Sequence, residues 1–192
     1  AYCYYLEREA LYPGARLRMT DDVLDLYLGQ MMAAYQHADT VPIAWQGGEP
    51  TLMGLPFFQR ATAKIKALLR PGQRVEHSLQ TNGLLLDEAW CTFLREEQIL
   101  VGLSLDGPPA LHDASRVDKA GQGTAERAWA AACLLAREGV AVNAMVTVQG
   151  SNQAHPLEVY RTLRDALGFR YFQFIPVVHS RTGGTAFCGP GQ

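Results

Sequence analysis

The segment Trp45-Gln46-Gly47-Gly48-Glu49-Pro50-Thr51 follows the apolar run Val41, Pro42, Ile43, Ala44. A short apolar stretch that ends in two glycines, an acid and a proline reads as a buried strand whose carboxyl end is stripped of side chains, so that a ligand can touch the backbone. The chemistry suits a small zwitterion. Exposed carbonyls and Glu49 offer acceptors to a cationic amino group, while Pro50 ends the strand and withholds a donor. Alone, a Gly-Gly strand exit with an exposed Glu fits an ordinary turn about equally well.

Two further segments shift that balance. Gln80-Thr81-Asn82-Gly83 closes the strand-like Arg74 to Leu79. Ser104-Leu105-Asp106-Gly107-Pro108 closes Leu100 to Leu103, with His112-Asp113 and Arg116 soon after. Three strands thus carry polar or Gly-rich groups at their carboxyl ends, where barrels and open parallel sheets place ligands.

The elements that position these ends alternate helix and strand. Thr20 caps an expected helix with Asp21 and Asp22 in its first turn, an apolar stripe of Val23, Tyr27 and Met31, and an end near Gln36. Pro56 opens a second helix through Leu69, Asp87 caps a third over Trp90, Phe93 and Leu94, and Thr124 with Glu126 starts a fourth that ends near Gly139. A fifth follows Pro156 and stops at Gly168. Between them lie strands predicted at Pro42 to Gln46, Val75 to Thr81, Ile99 to Leu105, Val140 to Val148 and Tyr171 to Val178. Strands separated by helices pair in parallel through right-handed crossovers, so the expected fold is α/β, a βα barrel or a piece of one.

Composition narrows the function classes. At 192 residues the chain holds one domain with a substantial core. Seventeen Lys and Arg against nineteen Asp and Glu leave a net charge of -2, which indicates no polyanion and hence no nucleic-acid partner. No run of 18 apolar residues suggests a membrane span. Cys3, Cys91, Cys133 and Cys188 form no CxxC pair. Cys91 and Cys133 fall in helix-like segments and are expected to be buried, reduced thiols, which points to a cytoplasmic setting. His37, His77, His155 and His179 are dispersed and are expected to be solvated or satisfied rather than metal ligands.

Tyr2-Cys3-Tyr4-Tyr5, WQGGEPTLMG at 45–54, LQTNGLLLD at 79–87, VGLSLDGP at 101–108, LHDASR at 111–116 and QFIPVV at 173–178 together resemble the radical S-adenosylmethionine enzymes. More narrowly they resemble the anaerobic sulfatase-maturating enzymes, in the family's order and spacing. The resemblance implies a partial six-stranded barrel whose first strand precedes Cys3, so that this chain carries the second to sixth strands. It implies S-adenosyl-L-methionine and a [4Fe-4S] cluster as cofactors. The cluster would be held by a CxxxCxxC loop of which Cys3 matches the last cysteine. Ala1 is then expected to be an internal position of a longer protein, with residues 1–180 as the radical core and 181–192 as a Gly-rich tail or the start of a linker.

The resemblance also implies roles. Gly47, Gly48, Glu49, Ser104, Arg116 and Ile175 are the expected cofactor-binding residues, with the Arg116 fork on the methionyl carboxylate and the backbone of Gln173, Phe174 and Ile175 against the adenine. Tyr5 and Gln46 are expected to face a peptide substrate. Asp106, His112 and Asp113 are expected to hold a loop together by local hydrogen bonds. The family's proton-accepting aspartate and its auxiliary clusters are expected beyond the chain, so no residue here receives the role of general base. The implied reaction oxidises a Cys or Ser of a sulfatase polypeptide to Cα-formylglycine, with flavodoxin or ferredoxin as electron donor. Alternatives are another peptide-modifying enzyme of the same superfamily, or a non-catalytic binding module on a decayed barrel.

Overall fold

The structure is a computed structural model that describes residues 18–181 and 184–187. Five strands form one wholly parallel sheet in the order β1 (Thr40–Trp45), β2 (Arg74–Thr81), β3 (Leu100–Ser104), β4 (Val142–Val148) and β5 (Phe172–Pro176), curled into a half-barrel. Helix α1 (Asp21–Ala34) precedes the sheet. Helices α2 (Leu55–Leu68), α3 (Glu88–Glu96), α5 (Ala125–Arg137) and α6 (Pro156–Arg161) fill the crossovers, and the short α4 (Pro109–Asp113) lies between β3 and α5. Among the described residues no helix is long and apolar enough to cross a membrane.

The helix starts follow their caps. Thr20 Oγ1 accepts from the Val23 amide at 3.4 Å, and Asp87 Oδ1 accepts from the Trp90 amide at 2.9 Å, each satisfying a first-turn donor that has no partner within the helix. Thr124 caps α5 by position only. Asp113 Oδ1 takes the Ala125 amide at 2.8 Å instead, while the Thr124 hydroxyl serves the loop before it. The last helix leaves α geometry at Arg161 and passes through a π turn, Thr162–Ala166, before Gly168.

Strand alternation assigns the two faces of the sheet. Val41, Ile43, Leu79, Val101, Leu103, Ala144 and Val146 are buried under the helices, in one core with Phe58, Ile65, Leu94 and Leu135. Trp45 closes this core at the end of β1, edge-on to Phe57 and Phe58 at 6.3 and 5.3 Å between centroids. Each such aromatic pair is worth about 0.5–1.5 kcal/mol beyond its buried area. The alternate residues, among them Ala44, Gln80, Ser104, Thr147 and Ile175, share the concave face.

Three expectations need correction. The buried stripe of α1 is Leu24, Leu28 and Met32, whereas Val23 and Tyr27 are half exposed. Both sets recur every four residues, and the contact with α2 selects the leucine-rich one. Cys133 is exposed, because the buried face of α5 runs through Ala125, Ala128, Ala131, Ala132 and Leu135; of the two described cysteines only Cys91 is buried. The last predicted strand divides: β5 ends at Pro176, and β6 (Val178–Arg181) starts an antiparallel pair with β7 (Gly184–Phe187). The Val177 amide still donates to the Val148 carbonyl at 3.0 Å, and Pro176, whose nitrogen faces away from β4, removes no bond from the ladder.

The exit of β3 is packed hard against α6. Gly107 has φ +115°, and a Cβ there would lie 2.8 Å from Val159 Cγ2. Gly107→Ala is therefore expected to cost about 2 kcal/mol or more through backbone strain and overpacking. Urea denaturation of the variant against the parent checks this, and an unchanged midpoint would refute it.

Candidate functional site

The carboxyl end of β1 turns through two residues that need glycine. Gly47 has φ +99° and Gly48 φ +49°, and a Cβ at Gly48 would meet nothing within 4 Å. Conformation demands glycine here rather than crowding, and the backbone is left open to a ligand. Gln46, exposed, continues the strand alternation onto the concave side.

Glu49 is tied into this turn. Its Oε1 accepts from the Thr51 amide at 3.1 Å, the Thr51 hydroxyl at 2.6 Å and the Thr81 hydroxyl at 2.7 Å, and its Oε2 accepts from the Asn82 amide at 2.8 Å. The carboxylate thus caps the 3-10 turn Pro50–Met53 and stitches the exit of β1 to the exit of β2. With three donors already on Oε1 and one on Oε2, the acceptor capacity that remains for a cation lies on Oε2. Asn82 completes the turn by accepting the Leu84 amide at 2.9 Å.

A second charged assembly stands over the exits of β3 and β4. Asp106 is fully buried and receives Arg116 side-on, Nε to Oδ2 at 2.7 Å and Nη2 to Oδ1 at 3.1 Å. Oδ1 also accepts the Thr147 amide at 2.8 Å, and Arg116 Nη2 reaches the Thr147 hydroxyl at 3.2 Å. Asn152 donates to the Thr147 carbonyl at 2.9 Å and to the Asp106 carbonyl at 3.4 Å, locking the two loops together. Ser104, 8% exposed, stands at the end of β3 on the same face, and Ile175 is the β5 neighbour of Thr147.

The predicted cofactor residues thus gather at one end of the sheet. Gly47, Gly48 and Glu49 sit over β1 and β2, Ser104 and Arg116 over β3 and β4, and Ile175 at β5. Cys3 and Tyr5 lie outside the described residues. Among the described residues no cluster of His, Cys, Asp and Glu is placed to hold a metal ion, so no ligand set for an iron-sulfur cluster is found there. Asp106, His112 and Asp113 do form hydrogen bonds that hold their loops, but Asp106 reaches across to β4, which its position in sequence did not indicate. Thr51 and Thr81 belong to the polar strand exits singled out by sequence but carry no assigned role there, and Thr147 and Asn152 carry none. Thr-Asn-Gly directly after a strand was the available signal for Thr81 and Asn82, whereas Thr147 is separated from Asp106 by 41 residues. His77 is half-buried and stacks parallel to Trp45 at 6.4 Å, and its Nδ1 is buried with no hydrogen-bond partner among the described residues.

His112 is buried and neutral. Its Nδ1 accepts the Asp106 amide at 3.4 Å, which places the ring proton on Nε2, 3.1 Å from the Thr124 hydroxyl; that hydroxyl in turn donates to the Arg116 carbonyl at 3.0 Å. Burial, reinforced by the Arg116 charge, lowers its pKa from 6.5 to about 4. With the folded value depressed, the unfolded chain takes up this proton first, so the contribution to stability is complete above pH 6.5 and declines as the pH falls towards 4. Replacing His112 with Gln is expected to flatten the stability curve in that window, as measured by urea denaturation at a series of pH values. An identical slope in the variant would assign the dependence to other groups.

A family model of the radical SAM superfamily matches residues 1–163. The serine-type anaerobic sulfatase-maturating enzyme of Bacteroides thetaiotaomicron is 35% identical over 181 residues, covering 92% of this chain and 42% of the relative. The cysteine-type enzyme of Clostridium perfringens is 36% identical over 158 residues, covering 82% and 42%. A solved structure of native anSMEcpe with bound AdoMet and the Kp18Cys peptide superimposes with a TM-score of 0.84 at 32% identity, over 95% of this chain and 49% of that one. The chain thus spans less than half the length of these relatives. With the half-barrel, the glycine exit and two anchored charges at its carboxyl edge, the match over residues 1–163 establishes that this chain belongs to the radical SAM superfamily.

Proposed function

We propose that this chain is the core of an enzyme that oxidises a Cys or Ser side chain of a sulfatase polypeptide to Cα-formylglycine, with S-adenosyl-L-methionine and a [4Fe-4S] cluster as cofactors. The observation that carries the reading is a pair of opposite charges at one sheet edge, Glu49 anchored at β2 and Arg116 anchored between β3 and β4. At the usual strand spacing these anchor points stand about 7 Å apart. A methionyl group held by its amino end and its carboxylate, with one hydrogen bond at each side, spans roughly 8–9 Å. The fit is that of a zwitterion lying across β2 and β3.

In this reading the backbone of Gly47 and Gly48 and the Oε2 of Glu49 accept the amino group. Ser104 and Arg116 hold the carboxylate, and backbone groups at Ile175 meet the adenine. Cys3 is the cluster ligand within this chain, and residues 1–180 form the core, with 181–192 leading out of it. When bound, the two cofactors supply the one-electron chemistry that removes a hydrogen atom from the substrate's β-carbon. The protein's part is position. Gln46 and Tyr5 lie between the cofactor and the incoming peptide and fix that carbon. The identity to both serine- and cysteine-type maturating enzymes supports a sulfatase substrate. The unpaired thiols Cys91 and Cys133 support a reducing cytoplasm; the electron donor in this reading is flavodoxin or ferredoxin.

Glu49→Ala and Arg116→Lys are each expected to weaken S-adenosyl-L-methionine binding by about 1–3 kcal/mol, the range for losing a charge-assisted hydrogen bond. Calorimetry on the reconstituted full-length protein measures this, and wild-type affinity in both variants would remove these residues from the site. The substrate is tested by anaerobic incubation with reductant, S-adenosyl-L-methionine and a sulfatase-motif peptide carrying Cys or Ser, followed by mass spectrometry and hydrazine trapping. The expected product is a peptide aldehyde; deoxyadenosine without aldehyde on either peptide would leave a radical enzyme of a different substrate.

A further inference from the structure

Asp106 presents a problem of energetics. Its side chain is completely buried, and a buried carboxylate costs several kcal/mol in desolvation, which an ion pair offsets only with good geometry and further hydrogen bonds. Apolar replacement of such a pair is often neutral or stabilising, so stability gives little reason for its presence. Orientation gives a better one. Arginine carries about 2 kcal/mol of rotamer entropy, and a guanidinium at the rim of an open sheet samples many planes unless something holds it.

Arg116 is held at both ends. Its amide donates to the His112 carbonyl at 2.9 Å, and its carbonyl accepts the Thr124 hydroxyl at 3.0 Å, so the backbone is fixed by α4 and by the start of α5. Its head is fixed by the two bonds to Asp106 and by the Thr147 hydroxyl. Asp106 is itself immobilised by the Thr147 amide and, through its carbonyl, by Asn152. The plane of the guanidinium over β3 and β4 is therefore set by a carboxylate that no solvent reaches.

We infer that Asp106 is a positioning residue for the cofactor's carboxylate: with Thr147 as second anchor it presets the plane in which Arg116 meets that group, and so selects ligands that carry it. This inference rests on the reading of Arg116 as the methionyl clamp. Asp106 touches neither the ligand nor the reacting atoms, and acts through Arg116.

The test compares two ligands on the reconstituted full-length protein by calorimetry: S-adenosyl-L-methionine and its decarboxylated analogue, which lacks the group in question. Asp106→Asn is expected to weaken the first about tenfold, the effect of a misplaced charge-assisted contact worth about 1.4 kcal/mol, and to leave the second within about twofold. Arg116→Lys is expected to show the same selectivity, and the double variant to lose no more than Arg116→Lys alone, because the two residues act as one unit. Thr147→Val, a β-branched isostere on a strand, serves if Asp106→Asn does not fold, with the same selectivity and a smaller loss of about threefold. Equal losses for both ligands would make Asp106 a support for the loops only and overturn the inference. Unchanged or tighter S-adenosyl-L-methionine binding in Asp106→Asn would overturn it as well. An Arg116→Lys protein that binds both ligands as wild type does removes the clamp itself, and Asp106 with it; selective loss in Arg116→Lys without loss in Asp106→Asn overturns Asp106 alone.

Discussion

A parallel strand reaches its neighbour only through a crossover, and in this chain every crossover between strands of the sheet contains a helix. Those helices must bury an apolar stripe, and only one face of the sheet is available to them. Val41, Ile43, Leu79, Val101, Leu103, Ala144 and Val146 supply that face and are almost wholly withdrawn from water. Because side chains alternate, burying these residues commits the others to the concave side, where Gln80, Ser104, Thr147 and Ile175 stand. A slip of one residue in any strand would exchange the two sets and remove the site together with the core.

The same constraint explains where charge is found. Parallel strands all end at one edge, so the loops that follow them converge there. Two exits are stabilised by a carboxylate that accepts from donors of the neighbouring strand's end: Glu49 joins β1 to β2, and Asp106 joins β3 to β4. The two acids differ in what else they meet. Glu49 is surrounded by neutral donors and retains acceptor capacity, whereas Asp106 is met by a guanidinium and enclosed. One carboxylate is thereby suited to a cation and the other to presenting one.

His112 belongs to the same economy of buried polar groups. It is neutral, it accepts the Asp106 amide, and through Thr124 it reaches the Arg116 carbonyl. Asp113, one residue on, takes over the capping of α5, which releases the Thr124 hydroxyl for that link. A loop that reads as a run of turn residues is in fact a chain of specific donors and acceptors joining three elements.

The alternation of apolar runs and helix caps determined the five parallel strands and four of the helix starts, because period and capping are local properties of a chain. The two glycines after β1 determined the open turn at this edge for the same reason: φ beyond +45° at two successive residues requires glycine wherever it occurs. The phase of α1 was not determined locally, since Val23-Tyr27 and Leu24-Leu28 have equal spacing and only the contact with α2 separates them. Nor was the fate of the two acids. That Glu49 caps a turn and Asp106 grips an arginine depends on Thr81, Asn82 and Thr147, residues 32, 33 and 41 positions away, which only parallel pairing brings within hydrogen-bond distance.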